Sequence, residues 1–452
     1  MNELCDWLLS PHSSTSPCLI LEDGRVLNRG DVRRAVERRA DDLRNHVPHP
    51  GAIVGICAQR PSQLLIDVLA VMMTGAVATP VAPWNDRPEL WTKLGACAVL
   101  AAKQMPTAVR PLSGMRHLHE SLALMMTTSG TTATPRRVLL RANGVKANVQ
   151  AILGTLTFDA STRHGLVLAP WYAYALIGQW FTCLRGGASL ALVPPSPFAG
   201  ERLAHIDRLQ VDSLSAVPSM LRALCEAPGR RPVLRTLASA GAPLHARTRE
   251  AMDAAFPEAL LWNQYGCTEA GPRIAAISSR HEAFWRGAAG VAIAGVDVVC
   301  HGVPDEPEEI VVWSPSTMQG YLGEPTATHR ALTPDGLRTG DLGWMDGEAL
   351  FVKGRADDLV KIGGVRLHLS AVRAALLNHE AVRDAAVLSV PDEQSGVRII
   401  AAVVSDDVED VRSWCRRELP SHMRPRKIVA VEALPFTDRG KIDNAALHEM
   451  IA

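Results

Sequence analysis

The chain has 452 residues, of which 47% are hydrophobic and 21% charged, with 47 basic side chains balanced by 47 acidic ones. That length calls for two or three domains, and the composition excludes disorder over most of it. The zero formal charge argues against a protein that coats nucleic acid or an anionic membrane. The opening MNELCDWLLS has early acids and no basic stretch before an apolar core, so no signal peptide is read. The most apolar stretch, 64–84, contains Asp67, Gly75, Pro80 and Pro83, which fits a buried helix and strand and not a membrane span. The nine cysteines are scattered without a CxxC pair, as expected of a reduced, cytoplasmic protein with neither a disulfide scaffold nor a structural zinc.

In chain order, the spacing predicts a charged helix over 31–46, a strand over 52–58, a helix over 62–73 and a strand over 76–81. The alternation returns as strand 165–169, helix 176–184, strand 189–193, strand 213–216 and helix 218–226. Apolar runs separated by amphipathic helices describe a sheet covered on both faces, an α/β layered architecture. After about residue 350 the character changes to strand 350–352, helix 370–379, strands 385–390 and 398–404, and helix 411–418. The expected arrangement is α/β: a large layered N-terminal domain with mixed sheets over 1–353, and a small mobile α+β domain over 354–452. The polar stretch 354–358 is the linker candidate.

Residues 126–138 read MTTSGTTATPRRV, with Thr128, Ser129, Gly130, Thr131 and Thr132 in a row and Arg136 and Arg137 just beyond. Backbone N–H groups and hydroxyls at this density can wrap a polyphosphate, with the arginines supplying charge. A Ser/Thr-rich surface turn has the same composition, and the residues alone do not separate the two. Downstream come NQYGCTE at 263–269, RTGD at 338–341, GRADDLVK at 354–361 and LPFTDRGK at 434–441. In this order and spacing, with SAGAPL at 239–244, the motifs resemble those of the adenylate-forming superfamily: acyl- and aryl-CoA ligases, peptide-synthetase adenylation domains and luciferases. The resemblance covers nearly the whole chain.

It implies an enzyme that uses ATP and Mg²⁺ to convert a carboxylic acid into an acyl-adenylate, then passes the acyl group to a second nucleophile. By the same resemblance, Thr128–Thr132 and Arg136 hold the β- and γ-phosphates, and Gly241, Ala242 and Pro243 line adenine. Tyr265 stacks on the ring, with Asn263 and Gly266 beside it; Thr268 touches phosphate and Glu269 carries the metal. Asp341 accepts from the ribose hydroxyls, with Arg355 as a further ribose or phosphate contact. Lys441 would bridge the substrate carboxylate and the α-phosphate, neutralising two anions that must meet; read without the motif it is a solvated lysine. Asp357 takes the place of the hinge about which the C-terminal domain rotates, and Gly364 sits near the path of an incoming thiol. The chain departs from the pattern at 133–137, where ATPRR replaces G-x-P-K-G. Arginine keeps the charge in a planar fork, and the lost glycines stiffen the loop.

Trp171, Tyr172, Ala173, Tyr174, Gly178 and Cys267 are the candidate acyl-pocket residues. Residues 170–178 contain no acid, so a free α-amino acid, whose ammonium would go unpaired, is a poor substrate. Three aromatics suit a flat or cyclic acid by stacking, or they simply pack the core. The acceptor stays open between the thiol of CoA or of a carrier protein and an amino-acid amine, as in coronafacate ligase-like amide synthetases. A non-catalytic nucleotide-binding member is the third reading, opposed by the joint presence of Glu269, Asp341 and Lys441. The RPRK stretch 424–427 is a candidate contact for the CoA phosphates or else a solvated loop.

Overall fold

The computed structural model describes the chain except for residues 1–2, 11, 48, 102–107, 112–117, 129–135, 363–364, 393–395, 438–441 and 452; at 108–111, 357, 359, 361–362, 365–366, 391 and 396 it describes the backbone alone. The architecture is α/β, with a large N-terminal part built on two mixed sheets and a smaller α+β C-terminal part.

The seven-stranded sheet is centred on Ile53–Cys57, which pairs in parallel with Val77–Pro80 and Ala98–Ala101. All five residues of that central strand are buried, as expected of a parallel strand covered on both faces. The helix Pro61–Met73 starts on a proline, where the missing N–H costs nothing, and buries Leu64, Leu65 and Val68. At the other end, Leu122–Thr127 and Arg137–Arg141 form an antiparallel pair that brackets the hydroxyl-rich loop.

The 14-stranded sheet has a parallel centre. Ser189–Leu192, Arg163–Leu166, Ser213–Ala216, Thr236–Ala240 and Leu260–Tyr265 run side by side in the same direction. Residues 241–243 and 266–269 therefore leave the sheet next to each other at the carboxyl ends of adjacent strands, where open α/β sheets bind ligands. Beyond Leu260–Tyr265 the pairing turns antiparallel, through Ala275–Ser278 and Gly290–Ala292 to the hairpin Gly336–Asp346/Ala349–Arg355. The segment 318–322 stitches the two sheets: Met318 N donates to Glu269 O at 2.8 Å, Gln319 N to Leu139 O at 2.8 Å and Leu322 N to Arg137 O at 2.9 Å.

The C-terminal part holds a two-stranded hairpin, Leu359–Ile362 with Val365–His368, and a three-stranded sheet, Asp384–Asp392, Gly396–Val404 and Lys427–Ala430. The helices Leu369–Leu377, Val408–Glu418 and Asn444–Ile451 pack on it. Its apolar clusters, around Val372, Leu376 and Val411 and around Leu434 and Leu447, are separate from those of the sheets before it. We propose a domain boundary at 353/354 on that basis. Gly354 and Arg355 are paired in the hairpin, opposite Leu342 and Asp341, and the short 3₁₀ turn Ala356–Asp358 follows directly. Asp357, read as the hinge, lies in this turn with its side chain outside the description; Gly364 lies outside the described residues altogether.

The two parts touch through Arg247, on the helix Ala246–Ala255. One guanidinium nitrogen donates to the carbonyls of Leu377, His379 and Val382, at 3.2, 3.1 and 3.1 Å. Leu377 is the last residue of the helix Leu369–Leu377, and a cation suits that end of the dipole. The expected outcome of Arg247→Ala is faster proteolytic cleavage within 354–358 with an unchanged urea midpoint for the N-terminal part. Unaltered cleavage would show that this contact does not hold the parts together.

Candidate active site

Tyr265 ends its strand and donates its hydroxyl to Asp341 Oδ2 at 2.7 Å. Asp341 Oδ1 faces Arg355 at 3.5 Å, and its backbone N–H is held by Thr339 Oγ1 at 3.1 Å. Burial and the Asp341 charge push the Tyr265 phenol well up, so the hydroxyl stays protonated and the carboxylate is fixed in position. Gly266 follows, where a side chain is impossible: a Cβ would lie 1.9 Å from Pro272 O. Cys267 comes next, its thiol raised well above the ordinary range by burial and then by the Glu269 and Asp341 carboxylates. Both carboxylates thus act on one buried point.

The 3₁₀ turn Thr268–Ala270 presents Glu269, whose Oε1 accepts from Tyr321 OH at 2.8 Å. Burial and that carboxylate push the Tyr321 phenol up. Arg136 lies 5.2 Å over the Tyr321 ring and pairs with Glu324 at 3.2 Å. Its backbone N–H donates to Thr128 Oγ1 at 3.0 Å, and its carbonyl accepts from Thr128 N at 2.9 Å. The flanks of the hydroxyl-rich loop are therefore clasped beside Glu269. Ser129, Gly130, Thr131 and Thr132 fall outside the described residues, as does Lys441. Gly241, Ala242 and Pro243 leave the neighbouring strand end, Gly241 with φ +87°. Asn263, in contrast, is buried, with its amide donating to Ala288 O at 2.8 Å, a structural bond between strand and loop.

One residue fixes the turn that carries Glu269. The Asn148 side chain, 1% exposed, donates to Arg273 O at 2.9 Å, Ser316 Oγ at 3.2 Å and Ala270 O at 3.4 Å, and accepts from Arg273 N at 3.1 Å. Asn148 and Tyr321 carry no motif. The only sequence signal for Asn148 is an amide amid the apolar face of the helix Ala142–Leu153.

The candidate acyl pocket lies along 171–178. Trp171 meets Trp84 and Tyr172 edge-on, at 5.5 and 5.8 Å between ring centroids. Ala173 is buried in the main core, and Trp171, Tyr172 and Tyr174 pack against it. Tyr174 donates to Gln264 Oε1 at 3.1 Å. Residues 176–184, expected as one helix, include a π-helical stretch, Leu176–Phe181, that contains Gly178; such bulges recur at functional sites. Behind it, His164 sits between Ser213 Oγ, at 2.9 Å, and Gln179 Oε1, at 3.2 Å. An amide oxygen only accepts, so His164 Nε2 carries the proton and Nδ1 takes the serine hydroxyl.

Tyr265, Asp341, Glu269 and Arg136 thus gather at adjoining strand ends, with the aromatic segment 171–174 on the same core. The comparisons agree: the AMP-binding enzyme family matches residues 98–322 and the AMP-binding enzyme C-terminal domain matches 372–441. The chain is 29% identical to a feruloyl-CoA synthase from an Amycolatopsis species, over 96% of this chain and 95% of that one. ATP-bound MatB from Rhodopseudomonas palustris superimposes with a TM-score of 0.85 at 21% identity, covering 100% and 99% of the two chains. The amide bond synthetase McbA from Marinactinospora thermotolerans does so with a TM-score of 0.79 at 23% identity, covering 99% of each. This protein belongs to the adenylate-forming superfamily. It is an AMP-forming ligase of the acyl- and aryl-CoA ligase type, joining an acid to a thiol or an amine. Among the described residues, no helix is long and apolar enough to cross a membrane.

His164 is pushed down to about 4 by burial. Its neutral form is favoured by folding, so its contribution is complete above the ordinary value near 6.5 and is lost as pH falls towards 4. Urea unfolding at pH 7 and pH 4.5 is expected to show His164→Gln losing less stability on acidification than the parent, by on the order of 3 kcal/mol. Parallel losses would mean that His164 does not titrate in this range.

Proposed function

We propose that the protein uses ATP and Mg²⁺ to adenylate an aromatic or cyclic carboxylic acid and then transfers the acyl group to a thiol, that of CoA in preference to a carrier protein. The observation that carries this is the convergence of Thr128, Arg136, Glu269, Tyr265 and Asp341 on one set of strand ends. Tyr265, anchored through its hydroxyl to Asp341, offers a ring of fixed orientation for adenine. Asp341, held by Tyr265 and facing Arg355, places a carboxylate beside that ring, the group suited to accept from ribose hydroxyls. Arg136 lies where the loop would meet the terminal phosphates, and Thr268 begins the turn that carries Glu269.

Glu269 suits Mg²⁺: its carboxylate is oriented by Tyr321, and hard cations take oxygen ligands. Among the described residues there is no group of three or more His, Cys, Asp or Glu that could hold a metal ion; the ion is assigned to the one carboxylate, with phosphates and water as its other ligands. When bound, magnesium would neutralise phosphate charge and fix the geometry of the transfer. Lys441 is assigned to the approach of the carboxylate to phosphorus on its motif alone.

The acceptor reading rests on charge. A cavity of about 540 Å³ in the C-terminal part is lined by Arg398, Arg412, Arg416, Arg424, Arg426 and His422, a lining suited to the phosphates of CoA. Lys427 takes no part in that lining; its ammonium donates to Ile451 O at 2.7 Å.

Acid-dependent exchange of labelled pyrophosphate into ATP is the test, run with aryl and cyclic acids. Lys441→Ala is expected to lower exchange roughly 100-fold or more while sparing the onward transfer of supplied acyl-adenylate. Equal loss of both steps would contradict the separate role, and ATP binding without exchange for any acid would indicate a non-catalytic member. Mass spectrometry with CoA against mixed amino acids separates thioester from amide. The double variant Arg398→Glu, Arg426→Glu is expected to raise KM for CoA about tenfold and to leave KM for ATP unchanged. An unchanged KM for CoA would remove the cavity from the acceptor path.

A further inference from the structure

Arg273 stands immediately after the turn that carries Glu269, in CTEAGPRIAAI, and it is 3% exposed. Its guanidinium lies 4.8 Å over the Tyr174 ring and hydrogen-bonds that residue. One terminal nitrogen comes within 3.4 Å of the point a Cβ would occupy at Gly178, and the Tyr174 ring within 3.3 Å, so the cation packs directly against the backbone of the candidate acyl-pocket segment. Among the described residues no carboxylate pairs with it, and its Nε–H is buried without an acceptor. An arginine cannot escape this position by losing its proton, since its guanidinium stays charged in proteins. A buried cation without a counter-charge is destabilising, and an anionic ligand would relieve that cost; Arg29 and Arg249, similarly buried, are met by backbone carbonyls.

The neighbouring polar atoms point the same way. Gln179 Nε2 and Trp171 Nε1, on the segment that flanks Gly178, are also buried N–H groups without an acceptor. Gln179 Oε1 is taken by His164 and Gln264 Oε1 by Tyr174. Arg273, Gln179 and Trp171 thus present buried N–H donors without acceptors, while the two amide oxygens nearby each already take one hydrogen bond. An apolar acid would leave every one of these donors unsatisfied in a dry site, which is unfavourable. A planar carboxylate presents two oxygens to a guanidinium in matching geometry.

We propose that Arg273 is a specificity-determining residue that binds a second carboxylate on the substrate, so that the acid activated here is a dicarboxylic acid whose other carboxylate reacts at phosphorus. This rests on the acyl-pocket reading above. It is independent of the acceptor, and the cation takes no part in bond making: it holds the far end of the substrate and leaves the near carboxylate at the strand ends.

The test is pyrophosphate exchange with matched acids: benzoic against phthalic, isophthalic and terephthalic acids, and cyclohexanecarboxylic against the cyclohexanedicarboxylic acids. At least one diacid is expected to exceed its monoacid in kcat/KM by on the order of 100-fold. Arg273→Met is expected to abolish or invert that preference. A methionine in place of a buried ion is compatible with folding, and Arg273→Gln, which keeps donors without the charge, is expected to give an intermediate preference. A parent enzyme that favours monoacids, or a diacid preference that survives both variants, overturns the proposal and leaves the adenylation reading standing. Preference for a hydroxybenzoic acid over the diacids overturns it in favour of a neutral acceptor. Absence of exchange with every acid refutes the adenylation reading, and this proposal falls with it.

Discussion

The turn from Tyr265 to Arg273 is the constraint on which the rest depends. In nine residues it presents a phenol to Asp341, a carboxylate to Tyr321 and a guanidinium to Tyr174. These three directions correspond to the proposed base, phosphate and acid ends of a ternary site. A turn that faces three ways cannot be stabilised by its own side chains, all of which are committed outwards. It is held from behind, by the Asn148 amide on the carbonyls of Ala270 and Arg273 and by Ser316, whose hydroxyl donates to Ala270 O at 2.7 Å. Buried backbone groups must find partners, and one fully satisfied amide provides them without adding charge near the site.

The electrostatics follow from that crowding. Asp341 and Glu269 both act on Cys267, and each is capped by a tyrosine whose proton it helps to retain. Neutral hydroxyls orient the carboxylates without cancelling them. Among the described residues the proposed nucleotide site sets Asp341, Glu269 and Glu324 against Arg136, shared with Glu324, and Arg355, which faces Asp341. A triphosphate can enter such a site only with cations, which is the physical reason for assigning a metal to Glu269 and a lysine from outside the walls to the reacting centre.

Much of the scaffold was legible from periodicity. The strand at 213–216 and the helix at 218–226 have the bounds expected from their apolar spacing, because a buried parallel strand followed by an amphipathic helix leaves little freedom. The stretch 176–184 has helical spacing throughout, yet a π turn is invisible to spacing because it inserts only one residue into the ladder. Gly354 and Arg355 have linker composition but lie in a strand; their pairing with Leu342 and Asp341 depends on a hairpin partner twelve or more residues away. The site was legible only where motifs lie in continuous sequence. Tyr321 reaches Glu269 across 52 positions and Asn148 reaches Arg273 across 125, and no local pattern encodes such meetings. Arg273 was the exception that could have been read, a single charge in an otherwise apolar run after Gly271 and Pro272.

The zero net charge of the whole chain hides a segregation that bears on how two reactions share one protein. The acidic walls gather at the strand ends of the N-terminal part, whereas five arginines line one cavity of the C-terminal part. The proposed function brings an anionic triphosphate and an anionic thiol cofactor to the same reacting centre. With the cationic groups proposed for each divided between the two parts, each anion would be met in turn. The two parts meet through Ser370 Oγ, which donates to Lys353 O at 3.0 Å, and through the Arg247 guanidinium on three carbonyls. His245, beside it, is pushed down to about 4 by burial and then by Arg373, Arg249 and Arg222, so the docking surface meets the C-terminal arginine Arg373 with a neutral ring. A carboxylate there would have bound that arginine firmly and opposed any separation of the two parts.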